Sequence, residues 1–159
     1  MSAEAKLKAL GIVLPDFNAK PFIGAQHGTM RPYRIHNGVL YLAGHVPDVD
    51  GKPFLPGRVG DTLTTEQGHR AARMAAINVV AGVKQALGDL DRIAFVLRTL
   101  NFVVCAPAYH EPHKVANGVT DLFAELWGPE KGVGCRATIG VQSLTNNYCF
   151  ETWCEFGLQ

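Results

Sequence analysis

The sequence predicts an α+β fold in which two helices pack on one face of a mixed β-sheet. Two segments, 64–88 and 112–127, carry apolar residues at helical spacing. Around them lie shorter runs rich in β-branched and aromatic residues, which are typical of strands. The predicted order along the chain is hairpin, helix, strand, helix, hairpin.

The composition is that of one compact domain spanning residues 1–159. The chain is 47% hydrophobic and 18% charged, and its formal net charge is +1. This charge gives no electrostatic reason to expect nucleic acid or an anionic membrane as a partner. The chain has no secretory signal pattern, no apolar run of membrane-spanning length and no Cys-x-x-Cys spacing. We therefore expect a cytoplasmic protein with reduced cysteines.

The first elements are predicted from amphipathic pattern and turn chemistry. Residues 2–10 predict a short amphipathic helix. Residues 33–43 predict a β-hairpin, because Asn37-Gly38 supplies the positive φ angles of a tight type I′ turn. Residues 44–60 are punctuated by proline and glycine and predict a long loop.

The two longer helices carry signals at their ends. Thr64 and Gln67 form a capping box at the start of the first, and Gly88 suits its C-terminal cap. Pro112 opens the second, and Gly128 ends it. Each helix has one apolar face, made by Ala72, Ala76, Val79, Val83 and Leu87 in the first and by Val115, Val119, Leu122, Phe123 and Leu126 in the second.

The C-terminal part holds a buried strand at 93–105 and then two strands, 135–143 and 147–156, which we predict to form an antiparallel hairpin. Arg136 and Glu151 interrupt these otherwise apolar strands. Their separation of 15 places both side chains on one face of such a hairpin. A salt bridge within the sheet and a site that binds a carboxylate and moves a proton both fit this pattern.

Other candidate residues give weaker signals. His110 and His113 flank a proline at a helix start without an obvious third ligand, so we expect a solvated helix entry and no metal site. Cys135 and Cys149 have no nearby base in the sequence, which favours packing over nucleophilic catalysis. Among the histidines, His45 is the most notable, because it follows a glycine at the end of a strand.

Several segments taken together resemble the Rid family of reactive intermediate deaminases, also called YjgF-like proteins. They are Ala43-Gly44-His45, AAINVVAGVKQALGDLDRI, VANGVTDLF, the Arg136 strand and the Glu151 strand. The resemblance covers residues 33–157 and leaves residues 1–30 as an N-terminal extension typical of the longer-bodied branch.

The resemblance implies a chorismate-mutase-like fold and a homotrimer with active sites between subunits. It also implies hydrolysis of a small carboxylate-bearing imine or enamine to a 2-keto acid and ammonia, without metal or organic cofactor. The alternative is a non-catalytic trimer that binds a carboxylate metabolite. The ribonuclease activity ascribed to some relatives fits poorly with a net charge of +1.

The family's site residues map onto this chain one by one. Arg136 would bind the substrate carboxylate, and Glu151 would position the attacking water or carry its proton. Asn117 and the backbone of Gly44 would line the pocket.

Other pocket positions depart from the family pattern. Tyr33 is the nearest match to the pocket tyrosine, His45 replaces a glutamine and Thr138 replaces a cysteine that often follows the arginine. Trp153 replaces a second glutamate, and Cys135 stands where the family has alanine. These departures predict a pocket reshaped for another substrate, such as an aromatic-derived or ring-opened enamine.

Overall fold

The computed structural model describes residues 1–159 and has two sheets and four α-helices. In chain order the elements are α1 (Ala3–Ala9), β1 (Tyr33–His36), β2 (Val39–Leu42), β3 (Asp48–Val49), β4 (Lys52–Pro53), α2 (Thr65–Leu87), β5 (Ile93–Val104), α3 (Pro112–Trp127), α4 (Pro129–Gly132), β6 (Cys135–Val141) and β7 (Phe150–Leu158). None of the helices is long and apolar enough to cross a membrane.

The main sheet is mixed and has the strand order β1-β2-β7-β5-β6. Only the pair of β5 and β6 is parallel. The predicted first hairpin is confirmed: Asn37 and Gly38 have φ angles of 48° and 72° between β1 and β2. The predicted α+β class is therefore confirmed.

The ends of α2 follow the predicted chemistry. The Thr64 hydroxyl accepts a hydrogen bond from the Gln67 N–H at 3.1 Å, and the Gln67 side chain accepts one from the Thr64 N–H at 2.8 Å. Gly88 ends the helix in the left-handed region with φ 73°. The predicted apolar faces of α2 and α3 are buried against the sheet and each other.

The contact between α2 and α3 depends on a glycine. A Cβ at Gly118 would overlap the carbonyl oxygen of His69 and crowd the backbone nitrogen of Arg73. The two helix backbones therefore approach more closely than any side chain at 118 allows. This layer of helices covers the sheet face that carries Thr99, Asn101 and Thr152.

The two C-terminal strands do not form the predicted hairpin, because β5 lies between β6 and β7. The long strand β5 pairs along both edges, parallel on one side and antiparallel on the other. Residues 142–149 therefore cross the end of β5, with Asn146 and Asn147 at positive φ. The predicted loop 44–60 also contains structure, namely the short β3–β4 hairpin.

The N-terminal residues pack along the helices. The ammonium group of Lys6 in α1 donates to the Leu126 carbonyl at 2.9 Å, and Leu7 is buried. Further along, the Phe17 carbonyl accepts a hydrogen bond from the Gln85 side chain of α2 at 3.2 Å. Phe22 is buried with its ring against His45.

Candidate functional site

Arg136 points from β6 toward α3, where its guanidinium is held by neutral oxygen atoms. It donates to Asn117 Oδ1 at 2.8 Å, to Thr120 Oγ1 at 3.2 Å and to the His113 carbonyl at 3.4 Å. No carboxylate forms an ion pair with it. The guanidinium is therefore oriented, while its positive charge stays available for an anion.

A solvent-open cleft of about 390 Å³ lies beside this guanidinium, between α3 and the start of β6. Its lining residues are Asn117, Thr120, Asp121, Ala124, Val133, Gly134 and Arg136. Thr120 was not predicted, although it lies three residues after Asn117. That spacing places both side chains on the same face of a helix and is the signal that would have identified it.

Glu151 lies on β7 with its carboxylate beside an exposed indole. Trp153 Nε1 donates to Glu151 Oε1 at 3.1 Å. The indole meets the Phe102 ring edge-on, with centroids 6.1 Å apart. A Cβ at Gly44 would overlap both the Glu151 carboxylate and the indole nitrogen, so this close approach requires glycine.

A second shallow cleft of about 330 Å³ lies next to Gly44, at the ends of β1 and β2. Its lining residues are Met30, Arg31, Tyr33, Arg34, Tyr41, Leu42, Ala43, Gly44 and Trp153. Gly44, Tyr33 and the Glu151 carboxylate therefore lie on one continuous surface of the molecule.

Arg136 and Glu151 lie on opposite faces of the sheet, contrary to the prediction of a shared face. Arg136 is in register with Thr99, and Thr99 with Cys154, in a row that faces the helices. Glu151 is in register with Phe102 on the face that no helix covers. The prediction assumed a hairpin, and the inserted β5 removes that relation. The alternative of a salt bridge between the two residues is also wrong.

The sheet face that no helix covers carries exposed apolar side chains in addition to the Glu151 carboxylate. Its exposed large side chains include Tyr41, Phe95, Ile139 and Trp153, of which Trp153 has 53% of its surface accessible. Apolar patches on a sheet face commonly mark interaction surfaces.

Thr138 lies two residues after Arg136 and therefore on the same face. Its hydroxyl oxygen is buried and has no hydrogen-bond partner. The neighbouring polar side chains on this face hydrogen-bond to one another instead. Thr152 donates to Asn101 Oδ1 at 2.8 Å, and Asn101 donates to Thr99 and to the Ala137 carbonyl.

The His45 ring lies on the other side of the strand from Glu151. Its backbone pairs with Thr152, and its ring stacks on Phe22 with centroids 5.1 Å apart, directly over Gly82. Its Nδ1 lies 2.7 Å from the Ala43 carbonyl, which makes Nδ1 the protonated nitrogen. Burial lowers the pKa of His45 to about 4, so the ring is neutral. The structure thus separates His45 from the Gly44 surface.

The carboxylate oxygens of three acidic residues lie as close together as the ligands of a metal ion would, namely those of Glu4, Asp89 and Asp91. Their oxygen atoms accept hydrogen bonds from the protein itself. Glu4 accepts from Lys84 and the Leu90 N–H, and Asp91 accepts from the Ala3 N–H. These bonds tie α1 to the end of α2.

Residues 4–151 match a family model described as "YjgF/chorismate mutase-like, putative endoribonuclease". The chain is also 36% identical to Protein TCP17 of Trypanosoma cruzi over 141 residues, which is 88% of this chain and 84% of that protein.

Two solved structures resemble the whole chain. The Agrobacterium tumefaciens protein Atu1372, described as of unknown function, superposes with a TM-score of 0.86 at 33% identity, covering 99% of this chain and 94% of that one. A Shewanella oneidensis protein described as a putative endoribonuclease superposes with a TM-score of 0.90 at 28% identity, covering 99% of this chain and 100% of the other.

Proposed function

Because this chain belongs to the YjgF/chorismate mutase-like family, as its sequence predicted, we propose that it is a cofactor-independent deaminase acting on a small carboxylate-bearing imine or enamine. The products are a 2-keto acid and ammonia. The net charge of +1 favours such a small metabolite over nucleic acid as the ligand.

The observation that carries this proposal is the set of neutral partners around Arg136. Asn117, Thr120 and the His113 carbonyl hold the guanidinium without neutralising it. These contacts use three of the five N–H donors, and the remaining donors on Nε and Nη1 are left for a carboxylate that the positive charge attracts. A carboxylate bound there would hold its adjacent C=N bond near β6, which is the edge strand of the sheet.

Glu151 supplies the group that handles water in this proposal. An imine carbon is already electrophilic, so it needs an oriented water and one proton-transfer group. Water adds to the C=N carbon while a proton moves to nitrogen, and the resulting carbinolamine then breaks its C–N bond to release ammonia. The Trp153 N–H holds one carboxylate oxygen, which leaves the other free for the water.

The two halves must come from different copies of the chain, because Arg136 and Glu151 lie on opposite faces. We propose a ring of three copies in which the Arg136 cleft of one meets the Gly44 and Glu151 surface of the next. Such head-to-tail contacts close into a ring when the rotation permits. The apolar side chains of the uncovered face would be buried in this contact.

The direct test is release of ammonia from enzymatically generated iminopyruvate, measured above its spontaneous hydrolysis. The wild-type protein should accelerate release, and Arg136→Ala should abolish the acceleration. Arg70→Ala is the matched control, because Arg70 is an exposed arginine on α2 away from both clefts. Equal rates with and without wild-type protein would exclude this substrate.

One observation favours a second function, binding without turnover. The indole of Trp153 engages the Glu151 carboxylate and occupies the surface beside it. A carboxylate metabolite bound at Arg136 would then be held rather than hydrolysed. Calorimetry distinguishes the two, since tight Arg136-dependent binding of pyruvate without ammonia release from the imine supports the binding protein.

A further inference from the structure

A larger cavity lies away from both clefts, beneath the N-terminal segment 11–22. Its volume is about 530 Å³, and it is bounded by that segment, by α2 and by the β3–β4 turn. Its apolar lining includes Ile12, Phe17, Phe22, Met74 and Ile77. It shares no lining residue with the Arg136 cleft or the Gly44 cleft. A volume of this size with mostly apolar walls is typical of small-molecule sites.

One polar atom of the cavity lining has no hydrogen-bond donor within the protein. Asn78 of α2 is 5% exposed and lines the cavity. Its Nδ2 donates to the Val46 carbonyl at 2.9 Å and to the Asp48 carbonyl at 3.0 Å. Because both partners are acceptors, the nitrogen must face them, and Oδ1 is left as an acceptor without a donor.

The charged residues of the lining are mostly acidic. Asp16, Asp48 and Asp50 face a single cation, Lys20, whose ammonium lies 3.3 Å from Asp50 at the exposed edge of the cavity. Asp48 is fixed in place, since its carboxylate accepts from the Tyr148 hydroxyl at 2.6 Å and from the Gly51 N–H at 3.0 Å. The excess of carboxylates favours a positively charged ligand.

We propose that this cavity binds a small primary ammonium ion carrying an apolar group. The ammonium donates to Asn78 Oδ1 and is stabilised by the surrounding carboxylates, while the hydrocarbon part packs on Ile12, Phe17 and Ile77. An ammonium group has three donors and no acceptor, so it complements an available amide oxygen that lies among acidic residues. The site does not depend on the proposed deaminase activity.

Three probes of similar shape and different charge test this proposal: phenethylammonium, 2-phenylethanol and 3-phenylpropionate. Calorimetry and chemical-shift mapping on the full chain should show phenethylammonium binding about tenfold more tightly than the alcohol, a difference of about 1.4 kcal/mol. The anion should not bind. Equal affinity for the cation and the alcohol, or no binding of the cation, would overturn the proposal.

Two variant pairs locate the site. Met74→Trp fills the cavity and should abolish binding, whereas Ile35→Trp, at an exposed position of β1, should not change it. Asp50→Asn should reduce the preference for the cation while keeping the fold, because asparagine tolerates the positive φ of 54° at this position. Asp61→Asn removes the same charge elsewhere and should leave the preference intact. Binding that survives Met74→Trp would place the ligand outside the cavity and refute the assignment.

Discussion

The side chains of Arg136 and Glu151 leave one sheet on opposite faces, separated by the strand β5. Arg136 is held against α3, and Glu151 faces the uncovered side with Trp153. A single copy of the chain therefore does not bring the two side chains together. An activity that needs both residues must therefore use Arg136 from one copy and Glu151 from another.

Arg136→Ala and Glu151→Gln should each abolish ammonia release as pure proteins but restore it when mixed within one assembly. With random mixing in a ring, about a quarter of the junctions receive an intact Arg136 from one copy and an intact Glu151 from the next. Co-expression with two different tags, followed by tandem purification, isolates the mixed species. No recovered activity in verified mixed assemblies would contradict a shared site.

Asn117 should act as a positioning residue for the Arg136 guanidinium. Asn117→Ala removes the shortest hydrogen bond to it, of 2.8 Å. We expect KM to rise by about tenfold, corresponding to about 1.4 kcal/mol, while kcat changes less. Asn117→Asp should raise KM further, because its carboxylate would form an ion pair with Arg136 and compete with the substrate. Equal effects of the two changes would argue for a merely structural role.

Trp153→Phe should lower kcat and leave KM nearly unchanged. The change keeps an aromatic ring near Phe102 and removes the N–H that orients Glu151 together with the five-membered part of the indole. A partly exposed hydrogen bond to a charged group contributes about 1 kcal/mol, so the expected loss is about fivefold. Steady-state kinetics on the same imine give both parameters. A rise in KM alone would assign Trp153 to substrate binding instead.

His45 should make the stability of the fold sensitive to acid. Its pKa is about 4 in the folded chain because burial disfavours the charged ring, against an ordinary value of 6.5. Between these values the unfolded chain binds a proton that the folded chain does not. The free energy of unfolding therefore falls as the pH drops below 6.5 and levels off below about 4, with a total loss of about 3 kcal/mol.

Urea denaturation from about pH 7 to about pH 4 measures this loss. His45→Gln should be less stable at neutral pH and should show a much smaller decline. His36→Gln is the control, because His36 is exposed at the first hairpin and should keep the wild-type decline. An unchanged decline in His45→Gln would assign the acid sensitivity to other groups.

Gly118→Ala should destabilise the fold through the contact between α2 and α3. Its Cβ would meet the backbone of His69 and Arg73, and backbone atoms cannot move aside as a flexible side chain can. Overpacking of this kind costs about 1–3 kcal/mol, despite the better helix propensity of alanine. Lys114→Ala, at an exposed position of the same helix, should change the free energy of unfolding by much less. Thermal and urea denaturation provide the comparison.

Local chemistry made several features predictable. Asn37-Gly38 defines its hairpin turn, and the Thr64 and Gln67 pair defines a helix start, because the hydrogen bonds involved join residues that are neighbours in sequence. Arg136 was identified as a charge in an otherwise apolar strand and Asn117 through the family resemblance, and their contact in the structure was not read from their spacing.

The faces of Arg136 and Glu151 were decided only by tertiary structure. The prediction of a shared face required the strands that carry Arg136 and Glu151 to be neighbours in the sheet. No local sequence signal indicates that β5 lies between them. The placement of His45 was equally non-local, because its ring lies between a distant phenylalanine, Phe22, and a helix glycine, Gly82.

The sequence by itself therefore determined α1, α2 and α3, the first hairpin, the family and the residue types of the candidate site. Tertiary structure alone decided that Arg136 and Glu151 face apart, and that Asn78 opens onto a separate cavity. The physical reason is the range of the interactions. Caps and turns join residues a few positions apart, whereas strand order and cavity walls join segments that are distant along the chain.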